Sequence, residues 1–139
     1  DYPAVVKNTA AVIIPKNNEY TLKFLIGILN SKLFDFYISS KSAKRANKAF
    51  PSITSGLVKR FPIPETNFKQ RGVIQEMVDR ILIKIQQEKK IEVEDKILDI
   101  LVYKIYGLSY KQINFIDPDF SLSEEEYLHF GPNQFEEIS

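Results

Sequence analysis

Apolar side chains recur along the chain at spacings that distinguish helices from strands. Over residues 20–39 they return every three or four positions, which predicts one helix with Thr21 as its cap. Most faces of this helix are apolar, so we expect it to lie deep in the core. Short apolar runs at residues 2–6 and 11–14 predict two strands.

The middle of the chain has a different character. Residues 41–56 show no sustained period and are rich in Lys, Arg, Ser and Thr, which predicts a long loop. Residues 57–63 alternate weakly between apolar and polar side chains, which predicts a short strand. Pro62 and Pro64 end it, because proline cannot continue a central strand.

Two amphipathic helices are predicted next, over about residues 67–85 and 93–106. Each carries one apolar stripe at helical spacing, and Gly107 suits the position after the second helix. We expect the two stripes to pack on each other as a helical hairpin and form core. The alternative is a spacer or a dimer seam, with Met77 in the contact.

Three pairs of polar residues have the spacing of a capping box, in which two side chains close a helix start reciprocally. They are Asn67 with Gln70, Ser109 with Gln112, and Ser123 with Glu126. From Asp117 onwards the chain is acidic and thinly apolar, which predicts a tail that docks loosely.

These elements together predict an α+β fold. It consists of a small β-sheet with a buried helix, followed by an antiparallel helical hairpin and short C-terminal helices. Residues 1–66 would be the α/β part, residues 67–107 the hairpin, and residues 108–139 the short helices and the acidic tail.

Charge is unequally divided along the chain. Residues 1–64 hold ten Lys/Arg and three Asp/Glu, a net of +7, whereas residues 65–139 hold nine and fifteen, a net of −6. Such an asymmetry indicates nucleic acid or another polyanion as a partner. The alternative is that the lysines simply solvate one end of the protein.

Counts of single residue types exclude several classes of site. The chain has no cysteine and one histidine, His129, which excludes disulfides, thiolate metal sites and Cys–His chemistry. Its five glycines lie at least sixteen residues apart, so it has no glycine-rich phosphate loop. No two of its seven prolines are adjacent, so the Asn-Pro-Pro-Tyr motif of amino-methyltransferases is absent. We therefore predict no catalytic residue, no metal and no cofactor in these residues.

The basic segment is what remains for function. Lysines bind phosphates, whereas Arg and Asn are the side chains that read guanine and adenine edges. The predicted DNA contacts are Lys41, Lys44, Lys48 and Lys59 to phosphates, Arg45, Asn47 and Arg60 to base edges, and Ser52, Thr54 and Ser55 as weaker hydrogen-bonding contacts. The alternative is a solvated loop that binds nothing in particular.

Five segments occur in an order that resembles a known family. They are LIGILNSKLFDFYI (25–38), FPSI (50–53), KRFPIP (59–64), QRGVIQEMVDRIL (70–82) and ILDILVYKIYGLS (97–109). The set looks like the C-terminal specificity domain of TaqI-like adenine-N6 DNA methyltransferases, which Type IIG restriction–modification enzymes share. The resemblance spans residues 10–116 and puts the variable loop of the family at residues 41–56.

The resemblance implies a non-catalytic DNA-binding specificity module that selects the target sequence on double-stranded DNA. In this family a separate domain binds S-adenosylmethionine and methylates adenine. That methyltransferase domain of the parent chain would be the second partner, and residues 1–66 would be incomplete at their start. We expect no membrane partner and a cytoplasmic location. The alternative function is a helical protein-interaction or scaffold module.

Overall fold

The computed structural model describes residues 4–5, 12–13, 21–46 and 55–131. Of residues 4–5, 12–13, 42–46 and 55 it describes the backbone. The elements in these ranges are β1 (Ala4–Val5), β2 (Val12–Ile13), α1 (Leu22–Leu29), α2 (Lys32–Ala46), α3 (Ser55–Arg60), α4 (Phe68–Gln86), α5 (Glu92–Ile105), α6 (Tyr110–Ile116) and α7 (Glu124–His129).

The predicted α+β fold class is wrong, because the described part of the chain is built from helices. β1 and β2 pair antiparallel over two residues each, with Ala4 opposite Ile13 and Val5 opposite Val12. A ribbon of this length is too small to provide a sheet face for a core. Helix–helix packing therefore takes that role, and the proposed division into three parts stays a prediction.

The single helix predicted over residues 20–39 is two helices with a break at Asn30 and Ser31. Ser31 is fully buried, and its hydroxyl donates to the Ile28 carbonyl at 2.6 Å. The same oxygen accepts the Phe34 amide at 3.3 Å. One serine thus binds the last turn of α1 and the first turn of α2, where backbone groups lack helical partners.

Two further predictions for the middle of the chain are wrong. Residues 41–46, predicted as loop, continue α2 to Ala46, and their sequence KSAKRA is rich in good helix formers. Residues 57–60, predicted as strand, belong to α3. Leu57 and Phe61 are both buried, and their four-residue spacing is helical rather than alternating.

The local end signals are confirmed. Thr21 accepts the Phe24 amide at 3.2 Å, and the three capping boxes predicted at the starts of α4, α6 and α7 are all present. Gly107 has φ +65° after α5, a conformation that glycine adopts without strain. The Leu108 amide then donates to the Tyr103 carbonyl at 3.1 Å, which completes a Schellman motif.

The main core lies where α1 packs against α4 and α5. Ile74 and Val78 on α4 and Leu98 on α5 are buried around Gly27 of α1. The expectation that the stripes of α4 and α5 form core is therefore confirmed. Met77 is 2% exposed and belongs to this core, so its predicted place in a dimer seam is wrong.

A second, smaller core joins α5 to α6 and α7. Tyr103, Ile113 and Tyr127 are buried in it, and Phe120 packs edge-on against both tyrosine rings at centroid distances of 5.9 Å. The expectation of a loosely docked tail is wrong for residues 117–131, because buried aromatic rings attach this acidic segment to α5.

Candidate nucleic-acid interface

The cations of the middle segment have no carboxylates near them in sequence. Residues 36–64 contain six Lys/Arg and no Asp/Glu. Three of the six lie in the second half of α2 and two in the last turn of α3. We call these five the basic surface: Lys41, Lys44, Arg45, Lys59 and Arg60.

The face of α2 that meets α3 continues toward two of these cations. The Tyr37 hydroxyl donates to the Leu57 carbonyl at 3.2 Å, which joins the two helices. Lys41 and Lys44 follow Tyr37 by four and seven residues, and such positions share one face of a helix. The cationic half of α2 therefore begins directly beside α3.

Aromatic packing fixes α3 in place despite its short length. The Phe61 ring lies 5.0 Å from the Phe34 ring and 4.9 Å from the Tyr37 ring, measured between centroids. On the next residue, the Pro62 carbonyl accepts the Tyr106 hydroxyl at 2.7 Å. Burial raises the pKa of Tyr106, so this hydroxyl stays a donor at neutral pH.

The side chains of Lys59 and Arg60, in the last turn of α3, are exposed, and so is the side chain of Lys41 on α2. Within the described ranges, the ion pairs join other side chains: Lys23 with Asp79, Lys32 with Asp117, Arg80 with Glu76, and Lys84 with Glu94. Among the side chains that the structure describes, these carboxylates thus pair with other cations, and Lys41, Lys59 and Arg60 are exposed to solvent.

Cations in the last turn of a helix also have a structural role. They interact favourably with the partial negative charge of the C-terminal carbonyl groups, by about 0.3–1 kcal/mol each. Lys59 and Arg60 occupy this position in α3. Because the interaction is with partial charges only, it leaves most of the positive charge available to a phosphate.

The other end of α2 is held by carboxylates of α5 and of the α6–α7 connection. The Lys32 amide, the first of α2, donates to Asp99 Oδ1 at 2.9 Å, and Lys32 Nζ lies 3.4 Å from both carboxylate oxygens of Asp117. Burial raises the pKa of Asp99 to about 6, although the amide and charge of Lys32 oppose the rise. This contact sets the direction in which α2 carries its cations.

Residues 2–63 match the family model described as TaqI-like C-terminal specificity domain. The match covers 62 of the 139 residues. A TaqI-like specificity domain is a DNA-recognition module of restriction–modification enzymes. No curated protein and no solved structure shows a significant match to the chain.

The TaqI-like match contains all ten predicted contact residues and confirms the resemblance over that range. The predicted segments at 70–82 and 97–109 lie outside it, and for them the resemblance stays a prediction.

The structure describes six of the ten predicted contacts, on two neighbouring helices, and their role in binding DNA stays a prediction. Lys41 lies on α2 with an exposed side chain, and Lys44 and Arg45 lie in the last turn of α2. Lys59 and Arg60 end α3, and Ser55 is its first residue. Asn47, Lys48, Ser52 and Thr54 lie outside the described residues.

Sequence reasoning missed the residues that support the TaqI-like basic surface. Tyr37, Phe61 and Tyr106 are not among the predicted DNA contacts. Their role is to attach α3 to α2 and α5. The four-residue spacing of Leu57 and Phe61 was the signal that α3 is a helix with one buried side. Nothing in the local sequence indicates that Tyr106 reaches Pro62.

In the described ranges, no three His, Cys, Asp or Glu side chains are placed to hold a metal ion together. The same ranges contain no helix with the length and apolar character needed to cross a membrane. The cytoplasmic location stays a prediction.

Proposed function

We propose that this chain binds double-stranded DNA through the basic surface and selects the target sequence for a restriction–modification enzyme. The hydrogen bond between Tyr37 and Leu57 is the observation on which this proposal rests, because it joins α2 to α3, the two helices that carry the described cations. The match to a specificity domain over the same residues supports it. In this proposal the chain itself performs no catalytic step.

The residues divide into two roles. Lys41, Lys44 and Lys59 neutralise phosphates, with Lys48 as a further phosphate contact, and this supplies affinity without regard to sequence. Arg45, Asn47 and Arg60 read base edges, where each bidentate contact discriminates by about 1–3 kcal/mol. Ser52, Thr54 and Ser55 add hydrogen bonds to phosphate or base.

Salt dependence is the direct test of the phosphate contacts. If all six cations of residues 36–64 neutralise phosphates, the logarithm of the association constant falls with the logarithm of salt concentration at a slope of about −5. A gel-shift or fluorescence-anisotropy titration of duplex DNA at several salt concentrations measures the slope. Absence of binding at low salt, or binding that salt does not weaken, contradicts the proposal.

A matched pair of variants locates the interface. Lys59→Gln with Arg60→Gln should make the slope shallower by about 1 through the lost Lys59 phosphate contact, and should relax the sequence preference through Arg60. Lys96→Gln with Lys111→Gln removes the same charge from exposed positions of α5 and α6 and should leave the slope nearly unchanged. Equal effects of the two pairs would show that net charge, and not the basic surface, governs binding.

Lys96→Gln with Lys111→Gln should leave stability within about 0.5 kcal/mol of wild type, because both side chains are exposed. Lys59→Gln with Arg60→Gln should lower it by about 1 kcal/mol, since two cations at the end of α3 are lost. Urea unfolding of the three proteins separates a binding effect from loss of fold.

The finer proposal is that the enzyme is an adenine-N6 DNA methyltransferase or a Type IIG restriction enzyme. Its S-adenosylmethionine would bind in a separate methyltransferase domain of the same parent chain, since these residues carry no glycine loop and no Asn-Pro-Pro-Tyr motif. The reading frame that encodes the chain tests this. A domain with both features beside these residues supports the proposal, and a catalytic domain of another class contradicts it.

A further inference from the structure

The apolar faces of α4 and α5 extend beyond the core. On α4, Ile85 follows the buried Ile74, Val78 and Ile81 at the same helical spacing, yet its side chain is 53% exposed. On α5, Val93 precedes the buried Ile97 by four residues and is 45% exposed. The stripe that elsewhere forms core is thus uncovered for one turn on each helix.

These uncovered positions form one surface at the end of the hairpin. Leu82 lies beside Ile85 on α4 and is 42% exposed, and the half-buried Ile91 lies in the connection between the helices. We call Leu82, Ile85, Val93 and residues 86–92 the hairpin tip.

An ion pair holds the two helices together at this level. Glu94 of α5 is buried and pairs with Lys84 of α4. Burial alone would raise the pKa of Glu94, but the hydrogen bond and charge of Lys84 outweigh it and lower the pKa below its ordinary value. The apolar surface is therefore presented by helices whose relative position is fixed.

Charges around the hairpin tip are balanced. Glu88, Lys89, Lys90 and Glu92 are all exposed, two of each sign. A polyanion such as DNA would meet repulsion from half of them. In a two-fold contact, by contrast, the same patch meets itself, so each sign can lie opposite the other.

We propose that the hairpin tip is a self-association surface that pairs with the hairpin tip of a second copy of this chain. The apolar stripe supplies the buried centre, and the balanced charges supply a rim that is complementary to itself. A stable dimer buries about 800 Å² on each partner. Three aliphatic side chains and a short connection cover less than that, so the dimer is weak and forms at high protein concentration.

Sedimentation velocity or light scattering over a wide concentration range measures the association, without DNA. We expect the mass of the wild-type chain to rise from monomer toward dimer. Ile85→Glu should weaken the dimer by at least about tenfold, because it buries an unpaired charge in the contact. Phe115→Glu is the matched control, since Phe115 of α6 is 76% exposed away from the hairpin tip and its replacement should leave the dimer unchanged.

A charge exchange identifies the partner as a second copy. Lys89→Glu with Lys90→Glu makes the rim wholly acidic, and Glu88→Lys with Glu92→Lys makes it wholly basic. Each variant alone should dimerise at least about tenfold more weakly than wild type, because like charges face each other. An equimolar mixture of the two should restore a dimer that contains one copy of each.

Three results would overturn the proposal: a wild-type chain that is monomeric at every concentration, a dimer that Ile85→Glu leaves intact, or a mixture of the charge variants that stays monomeric. Circular dichroism on each variant confirms the fold, which the exposure of the changed side chains should preserve.

Discussion

The basic surface and the scaffold of α4 to α7 use charge in opposite ways. In the scaffold, carboxylates pair with lysines and arginines, and three capping boxes close the helix starts. Residues 36–64 contain cations without a carboxylate, and aromatic contacts to α2 and α5 hold α3. Charge serves stability in one region and is left for a ligand in the other.

This contrast implies that folding and DNA binding can be separated by substitution. Changes in the scaffold core should alter stability first and binding only through loss of fold. Changes in the basic surface should alter binding strongly and stability only slightly. The following three predictions test the scaffold side, from the largest expected effect to the smallest.

Gly27 of α1 packs closely against α4 of the scaffold. A Cβ atom at this position would lie 2.7 Å from Cγ2 of Ile74 and 3.2 Å from Cγ2 of Val78. We expect Gly27→Leu to lower the free energy of unfolding by about 3 kcal/mol, because the overpacked helices must separate. Urea unfolding measures the loss.

Gly72 of α4 provides the matched control, since no atom lies within 4 Å of the Cβ that a substitution would add there. Gly72→Ala should raise the free energy of unfolding by up to about 1 kcal/mol, through the higher helix propensity of alanine. A Gly27→Leu variant as stable as wild type would contradict the close packing of α1 on α4.

Asp99 lies at the joint between the two regions, where it binds the first amide of α2. Its pKa is raised from 3.8 to about 6 in the fold by burial, so folding favours its protonated form. The contribution of this group is therefore fully present below about pH 4 and is lost as pH rises through 6. The loss is on the order of 1–3 kcal/mol.

Comparison of wild type with Asp99→Asn between pH 4 and pH 7 isolates this contribution. The free energy of unfolding of wild type minus that of the variant should decrease as pH rises. A difference that stays constant, or that increases with pH, would contradict the raised pKa.

Two buried tyrosines of the second core differ in their hydroxyl groups. The Tyr103 hydroxyl makes no hydrogen bond of ordinary geometry and interacts with the Asp117 carboxylate, whereas the Tyr127 hydroxyl donates to the Leu108 carbonyl at 3.1 Å. Tyr103→Phe should therefore change stability by less than about 0.5 kcal/mol, and Tyr127→Phe should lower it by about 1 kcal/mol. Thermal unfolding of both variants tests the pair, and equal effects of one sign would contradict the assignment.

Much of the helical part was predictable because its signals are local. Asn67 with Gln70 and Ser109 with Gln112 mark helix starts by a spacing of three residues, and Gly107 marks an end by its own conformation. The core stripes of α4 and α5 follow from helical periodicity in the same way. Each of these features depends on residues within one or two turns of each other.

The predictions that were wrong depended on distant residues. Weak alternation over residues 57–63 indicated a strand, but Leu57 and Phe61 are buried together against α2, and that contact selects a helix. The break after α1 depends on Asp99, which binds the Lys32 amide from a position 67 residues later. The exposure of Ile85 likewise follows from where the other helices end, and not from its own stripe.

The sequence by itself determined the chemistry of this protein: which residues are cationic, which spacings form helices, and which family model residues 2–63 match. The tertiary structure alone decided which of these residues meet. It put α3 next to α2 at Tyr37 and left one end of the α4–α5 stripe uncovered. The physical reason is that caps and periodicity act between neighbours in the chain, whereas burial depends on contacts between helices that are far apart in sequence.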